Sequence, residues 1–103
     1  MSDLTAIRDR LRIFAEARNW DQFHTPKNLS MAIAGEAGEL LAEFQWLTPE
    51  QSTNLTAEKL RDVEMEIADV AIYLVRLADV LGLDIYEATM AKIAINESRF
   101  PPQ

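Results

Sequence analysis

Two pairs of carboxylates, each spaced by three residues, are the part of this sequence best suited to chemistry. Glu36 and Glu39 lie in the run AGEAGEL, and Glu66 and Asp69 lie in the run EMEIADV. Residues three apart on a helix are neighbours on one face, with roughly 5–6 Å between their Cβ atoms. Both pairs are surrounded by apolar residues, where an isolated buried carboxylate would be costly. Two such pairs facing each other would form an oxygen-rich site for a hard divalent cation such as Mg²⁺.

The alternative interpretation is a solvated acidic face, balanced by Lys59, Arg61 and Arg76, because Asp and Glu are mostly exposed in proteins. Gly35 and Gly38 weigh against it. They stand beside the two glutamates in the middle of a predicted helix, where each glycine costs roughly 0.5–1 kcal/mol relative to alanine. Their lack of a side chain predicts that a neighbouring helix or a ligand approaches closely there. Residue types alone leave both interpretations open.

Several other chemistries can be tested against the sequence. A di-iron site in a helical bundle uses E-x-x-H motifs, but the only histidine, His24, does not follow a glutamate by three residues. No phosphate-binding G-x-x-x-x-G-K-[ST] run occurs, and there are no cysteines for thiolate or disulfide chemistry. One histidine in a turn-like segment gives little support to a nucleophile–histidine pair. Magnesium-assisted phosphate chemistry remains as the enzymatic option.

Four helices must position these acids, because every long segment has a helical period and none alternates like a strand. The predicted limits are Ser2 or Asp3 to about Asn19, Thr25 to about Trp46, Thr56 to Gly82, and Asp84 to Pro101. The stretch between the second and third helices is predicted to be a loop. The predicted fold is therefore a single all-α domain over residues 1–103, a four-helix bundle-like subunit.

The third predicted helix carries apolar residues at positions 60, 63, 67, 70, 74, 77 and 81. Alternating steps of three and four are typical of a bundle seam. The helix is apolar on most sides, which predicts that it lies centrally or at a subunit interface. On helical arcs of about 100° per residue, both acidic pairs adjoin the apolar packing faces. If the second and third helices pack through those faces, the acids meet in one cleft.

Composition narrows the class of protein. The 103 residues are 49% hydrophobic and carry a formal net charge of −7. This acidity argues against a binder of polymeric nucleic acid, which would need a basic surface. No apolar run approaches the length of a membrane span, and the first residues lack the apolar core of a signal peptide. These features predict a soluble cytoplasmic protein without membrane partners.

The same residues carry a resemblance to a known family. The chain resembles the MazG-like all-α nucleoside triphosphate pyrophosphohydrolases from about Trp20 to Pro101. It is especially similar to the small single-domain branch that contains the dCTP pyrophosphatases and the integron-cassette MazG-like proteins. The runs that carry this resemblance are NWDQFHTPKNL, GEAGEL, FQW, EIADVAIYLVRLA and KIAINESRFP. The E-x-x-E spacing alone is weak, whereas two acidic pairs with FQW and K-x-x-x-N-x-x-R form a specific combination.

The resemblance implies hydrolysis of a (deoxy)nucleoside triphosphate, such as dCTP or a related dNTP, to the monophosphate and pyrophosphate in a house-cleaning role. The resemblance also implies Mg²⁺, with Mn²⁺ as a substitute, at Glu36, Glu39, Glu66 and Asp69. It further implies that the chain assembles as a homodimer or as a homotetramer, a dimer of dimers. A metal can activate a water for attack at the α-phosphorus and neutralise the triphosphate. Glu39 is the candidate catalytic residue that orients or deprotonates this water.

The remaining candidate residues would bind the substrate. The positions that match the aromatic wall around the base in related enzymes are Trp20, His24, Trp46 and Tyr73. Lys92, Asn96 and Arg99 share one face of the fourth predicted helix and are candidates for phosphate contacts. The alternative functional hypothesis is a non-catalytic helical module for oligomerisation or regulation, with a solvated acidic face.

Overall fold

The computed structural model describes residues 3–103 of the chain, so that Ser2, one of the two predicted caps of the first helix, lies outside the described residues. The helices are α1 (Asp3–Ala17), α2 (Pro26–Ala42), α3 (Pro49–Ser52), α4 (Ala57–Val80) and α5 (Ile85–Arg99). No strand occurs between residues 3 and 103. The predicted all-α fold is confirmed, with four long helices and a fifth, short one.

Three of the four predicted helix starts and one predicted stop are present as capping structures, whereas Asp3 is the first residue of α1. The side-chain oxygens of Thr25, Thr56 and Asp84 accept hydrogen bonds from the third backbone N–H of α2, α4 and α5 respectively. Each therefore satisfies one of the donors that a helix start leaves unpaired. Gly82 follows the end of α4 with φ of +72°, and the N–H of Leu83 returns to the carbonyl of Ala78 at 2.8 Å. This is the Schellman arrangement, for which glycine is favoured.

The segment between α2 and α4 differs from the prediction. Helix α2 ends at Ala42, about four residues early, and turns continue the chain toward Leu47. The predicted loop contains α3, a single helical turn. Thr48 and Gln51 form a reciprocal capping box at its start, and Pro49 occupies its first position. The Thr-Pro start of α3 repeats the chemistry that begins α2, so this turn was readable from the sequence.

Helix α4 lies at the centre of the subunit. Helix α2 shares its most extensive contact with α4, α1 packs along α4 as well, and α5 touches α4 at few positions. Among the described residues, the fully buried apolar side chains are Ala15, Leu29, Val63 and Val75. They come from α1, α2 and α4, so these three helices form the core.

The predicted seam of α4 is divided between the core and the surface. Val63 is buried and Val70 and Leu77 are half-buried, whereas the side chains at positions 60, 67, 74 and 81 are 41–56% exposed. The exposed members recur every seven residues. The radius of gyration is 16.4 Å, compared with about 13 Å for a compact domain of this length. The chain by itself therefore leaves a long apolar stripe exposed.

None of the described helices has the length and apolarity needed to cross a membrane.

Candidate active site

Three of the four predicted acidic ligands converge where α2 packs against α4. One carboxylate oxygen from each of Glu36, Glu39 and Glu66 lies within 4.8 Å of the others. Their side chains are brought together because each acid adjoins the apolar face through which the two helices pack. Asp69 is not a member of this group, although its charge acts on both Glu36 and Glu66.

The environment of Glu36 and Glu66 opposes their ionisation. The pKa of Glu36 is raised by burial first and then by the charges of Glu39, Asp69 and Glu66. The pKa of Glu66 is also raised, again by burial first, and then by Glu39, Asp69 and Glu43. One oxygen each of Glu36, Glu43 and Glu66 is buried with no hydrogen-bond partner in residues 3–103, and of these only the oxygen of Glu43 lies beside a cation, Lys59. Buried polar atoms of folded proteins are normally paired, so the oxygens of Glu36 and Glu66 have acceptor capacity that a cation or a hydrogen-bond donor could satisfy.

The basic side chains do not neutralise this group. Lys59 Nζ lies 2.9 Å from an oxygen of Glu43, one turn beyond Glu39. Arg76 lies farther along α4 and pairs with Asp21 and Asp79. No ion pair found within the described part of the chain involves the four predicted ligands. Oxygen-only donors with unpaired buried atoms fit a hard divalent cation such as Mg²⁺ or Mn²⁺.

A cavity of about 280 Å³ opens between α1 and α4, and Asp69 is part of its wall. Its remaining lining is mostly apolar and aromatic. The structure places Trp20, His24 and Tyr73 in this wall, together with Leu11, Phe14, Ala15, Ile72 and Arg76. A mostly apolar cavity with a few polar groups, joined to an acidic cluster, suits a ligand with one flat end and one charged end.

The turn after α1 sets the position of Trp20. Asn19 adopts a left-handed backbone with φ of +57°, and the N–H of Trp20 returns to the carbonyl of Ala15 at 2.9 Å. This Schellman end of α1 folds the indole back over the helix, as its hydrophobic contact requires. The rings of Trp20 and Phe14 meet edge to face with centroids 5.4 Å apart, and the ring of His24 lies 6.0 Å from Trp20.

Arg76 is the cavity residue that the sequence interpretation missed as part of the site. Only 6% of it is exposed. Its Nε donates to Nδ1 of His24 at 3.0 Å, and its terminal nitrogens bond Asp21 and Asp79. Arg12 of α1 also pairs with Asp79. The available signal was the spacing of Asp69, Tyr73 and Arg76, which puts all three on one face of α4.

The other predicted substrate residues lie elsewhere. Trp46 is 87% exposed beyond the end of α2. Lys92, Asn96 and Arg99 lie on α5, and the guanidinium of Arg99 sits over the neighbouring ring of Phe100 at 5.2 Å. None of these four residues lines the cavity between α1 and α4.

The two glycines beside the glutamates are not explained by close packing within the described chain, so the approach of a ligand there stays a prediction. A Cβ atom placed on Gly35 or Gly38 would have no atom within 4 Å. Both residues are exposed on α2. No other helix of the described chain approaches them, so the surface beside Glu36 and Glu39 is open.

Comparisons with known proteins find similarity over the part of the chain that carries the acidic pairs. A family model described as the MazG-like family matches residues 31–101, which include both acidic pairs. The bovine protein dCTP pyrophosphatase 1 is 40% identical over 91 residues, and the human protein of that name is 40% identical over 90 residues. Each match covers 85% of this chain and 53% of the relative. The chain therefore spans about half the length of these curated relatives.

A solved structure is similar along nearly the whole chain. The crystal structure of a pyrophosphatase from Archaeoglobus fulgidus superposes with a TM-score of 0.91 and is 38% identical. The match covers 99% of this chain and 95% of that one. The arrangement of helices described above is therefore shared by the two proteins.

Proposed function

The chain belongs to the MazG-like family, and we propose that it hydrolyses deoxynucleoside triphosphates, dCTP or a related dNTP, to the monophosphate and pyrophosphate. The proposal includes dependence on Mg²⁺, with Mn²⁺ as a substitute, and a house-cleaning role. The observation that carries it is the pair of buried, unpartnered oxygens of Glu36 and Glu66 beside the cavity wall. A triphosphate is a dense anion, so an acidic site can accept it only together with cations.

Glu36, Glu39, Glu66 and Asp69 are the residues that would hold the cation. When bound, a divalent cation neutralises phosphate charge and stabilises the charge that develops during hydrolysis. Glu39 is the most exposed of the three converging glutamates, and Glu36 and Glu66 are half-buried. We assign to its carboxylate the orientation of the attacking water and the acceptance of a proton from it, because it can reach solvent while it borders both other acids.

The cavity between α1 and α4 is the proposed base site. Trp20 offers a flat surface, and stacking on an aromatic ring is worth roughly 1–3 kcal/mol per base in single-strand binders. Tyr73 follows Asp69 by one helical turn, and both residues line the cavity. A nucleotide with its base in the cavity would direct its phosphates toward Glu36, Glu39 and Glu66, because Asp69 links the two regions.

Self-association is part of the proposal. The residues Leu60, Ile67, Leu74 and Leu81 form an exposed stripe along α4, and α5 exposes Tyr86, Met90 and Ile93 at steps of four and three. Both faces have the period of helix packing seams. A second copy of this chain presents the same two faces and would cover them in a dimer or a dimer of dimers. The proposed roles of Trp46 at the base and of Lys92, Asn96 and Arg99 at the phosphates then depend on that assembly.

A direct assay tests the activity. The purified chain is incubated with canonical and modified dNTPs and Mg²⁺, and pyrophosphate and monophosphate are measured. We expect equal amounts of the two products and loss of both on adding EDTA. Glu39→Gln should abolish turnover and keep the helical circular dichroism, while Glu64→Gln, an exposed acid of α4, should retain activity. No product from any nucleotide, with no effect of EDTA, would instead support a non-catalytic helical module.

A further inference from the structure

Arg76 carries a buried positive charge that the proposed hydrolysis does not require. Its partners already match that charge, because Asp21 and Asp79 both accept hydrogen bonds from its guanidinium. Asp79 in turn has its pKa held below the ordinary value, mainly by its hydrogen bond from Arg12. Arg76 is therefore unsuited to capturing a phosphate. Its remaining contact, with His24, is the one that faces the cavity.

The hydrogen bond between Arg76 and His24 fixes where the imidazole proton can be. The donor is the Nε–H of Arg76, and the acceptor is Nδ1 of His24 at 3.0 Å. A guanidinium has no acceptor and does not lose its proton in proteins. Nδ1 must therefore offer a lone pair, which excludes both the imidazolium and the neutral form protonated at Nδ1. The remaining form carries its proton on Nε2.

The surroundings favour the same neutral form. Burial is the largest influence lowering the pKa of His24, and the charge of Arg76 lowers it further, while Asp21 acts in the opposite direction. His24 Nε2 makes no hydrogen bond to another residue in positions 3–103, although His24 lines the cavity. The Nε2–H of this cavity-lining residue is therefore available to a ligand.

We propose that Arg76 is a positioning residue that holds His24 as the Nε2–H tautomer, so that the cavity wall presents a hydrogen-bond donor to the base. The inference rests on the proposed function for the identity of the ligand. The base atom that fits this donor is a ring nitrogen or a carbonyl oxygen. Cytosine presents N3 and O2 as adjacent acceptors on one edge. A base with an amino or ring N–H group at this position would instead place a second donor against the Nε2–H of His24. Such a mismatch leaves a buried polar group unpaired, which is how hydrogen-bonding sites discriminate strongly.

The single histidine makes the tautomer directly measurable. In the full chain labelled with ¹⁵N-histidine, two-bond nitrogen–proton spectra should show a protonated Nε2 and an unprotonated Nδ1, without averaging between tautomers. This form should persist to a pH below the ordinary histidine pKa. Averaged nitrogen shifts in the wild-type protein, or protonation at Nδ1, would overturn the proposal without any variant.

Two variants distinguish the effect of the Arg76–His24 hydrogen bond from the effect of the neighbouring ion pairs. Arg76→Met keeps much of the buried volume and removes the donor, and it should give averaged nitrogen shifts and a higher His24 pKa. Arg12→Met removes the other partner of Asp79 without touching His24, and it should leave the wild-type spectrum unchanged. A fixed Nε2–H form in Arg76→Met would show that Arg76 does not set the tautomer and would contradict the proposal.

Nucleotide kinetics test the consequence for the ligand. Arg76→Met should raise KM for the preferred dNTP by about fivefold or more, a loss typical of one hydrogen bond, and should change kcat less. The ranking of dNTPs should flatten, while Arg12→Met keeps it. An unchanged ranking in Arg76→Met would refute the role in recognition. Absence of hydrolysis by the wild-type protein would refute the proposed function instead, and the spectra would still decide the tautomer.

Discussion

Replacing Glu66 by glutamine should have opposite effects on thermal stability in metal-free solution and in the presence of metal. The pKa of this carboxyl is raised because burial and neighbouring acids penalise its ionised form. Without metal, Glu66→Gln removes that charge from a group of three acids whose oxygens lie within 4.8 Å. The variant should then unfold at an equal or higher temperature than the wild-type protein. With metal, the wild-type protein should be the more stable of the two.

The size of the metal effect follows from linkage. A ligand at one hundred times its Kd stabilises the folded state by about 2.7 kcal/mol. For a domain of about 100 residues, 1 kcal/mol corresponds to roughly 4–8 °C in Tm. Saturating Mg²⁺ should therefore raise the Tm of the wild-type protein by about 10–20 °C. Glu66→Gln has lost one of the converging carboxylates and one of the unpartnered buried oxygens, so its increase should be a small part of that.

Thermal unfolding followed by circular dichroism, in EDTA and in a series of MgCl₂ concentrations, measures both effects. Glu64→Gln is the matched control because it removes the same charge from an exposed position two residues earlier on α4. It should keep the full response to Mg²⁺. A full metal response in Glu66→Gln, or a lower Tm than wild type in EDTA, would refute the assignment of this cluster as a cation site.

Three further predictions concern pH, the cavity and assembly. In EDTA, the folded-state pKa values of Glu36 and Glu66 lie above their ordinary value of 4.5. Their contribution to the unfolding free energy is therefore present below pH 4.5 and falls as pH rises through the folded values. Denaturant titrations should show this fall in the difference between the wild-type protein and Glu66→Gln, and a difference that does not change with pH would contradict it. Trp20→Ala should weaken binding of a non-hydrolysable dNTP analogue by roughly 5- to 150-fold, the equivalent of 1–3 kcal/mol of stacking, and unchanged calorimetric affinity would exclude this wall as the base site. Leu74→Glu should reduce the mass measured by light scattering to that of one chain, whereas Ile13→Glu, exposed on α1 outside the stripe, should not; an assembly unaffected by Leu74→Glu would place the interface elsewhere.

The parts of the fold that could be predicted are those that depend on neighbours in sequence. Thr25, Thr56 and Asp84 cap their helices through backbone groups three residues ahead, and Gly82 supplies a left-handed turn. The same local chemistry begins α3 at Thr48, although the segment was interpreted as a loop. The convergence of the acids was predictable because a spacing of three beside an apolar seam leaves few ways to pack.

The network around Arg76 could not be predicted in the same way. Arg76 reaches residues 52 and 55 positions away along the chain, and no helical period connects them. Its buried charge is tolerated because tertiary packing brings Asp21 to it and because Asp79 lies three residues ahead on the same helix. The role of Gly35 and Gly38 also depends on more than local sequence, since no helix of the described chain approaches them and only the predicted ligand is left as a close neighbour.

Helix α5 has a consequence for how the protein responds to dilution. It has 15 residues, contacts its own subunit at few positions and exposes its apolar side chains. Helices of this length are marginal in water without tertiary packing. Its amide hydrogens should therefore exchange faster than those of α4, and they should become protected as the protein concentration rises. If a second copy supplies contacts to α5, association stabilises this helix, and the fraction of chains in which it is stable rises with protein concentration. Protein concentration would then determine how often Lys92, Asn96 and Arg99 are held in position.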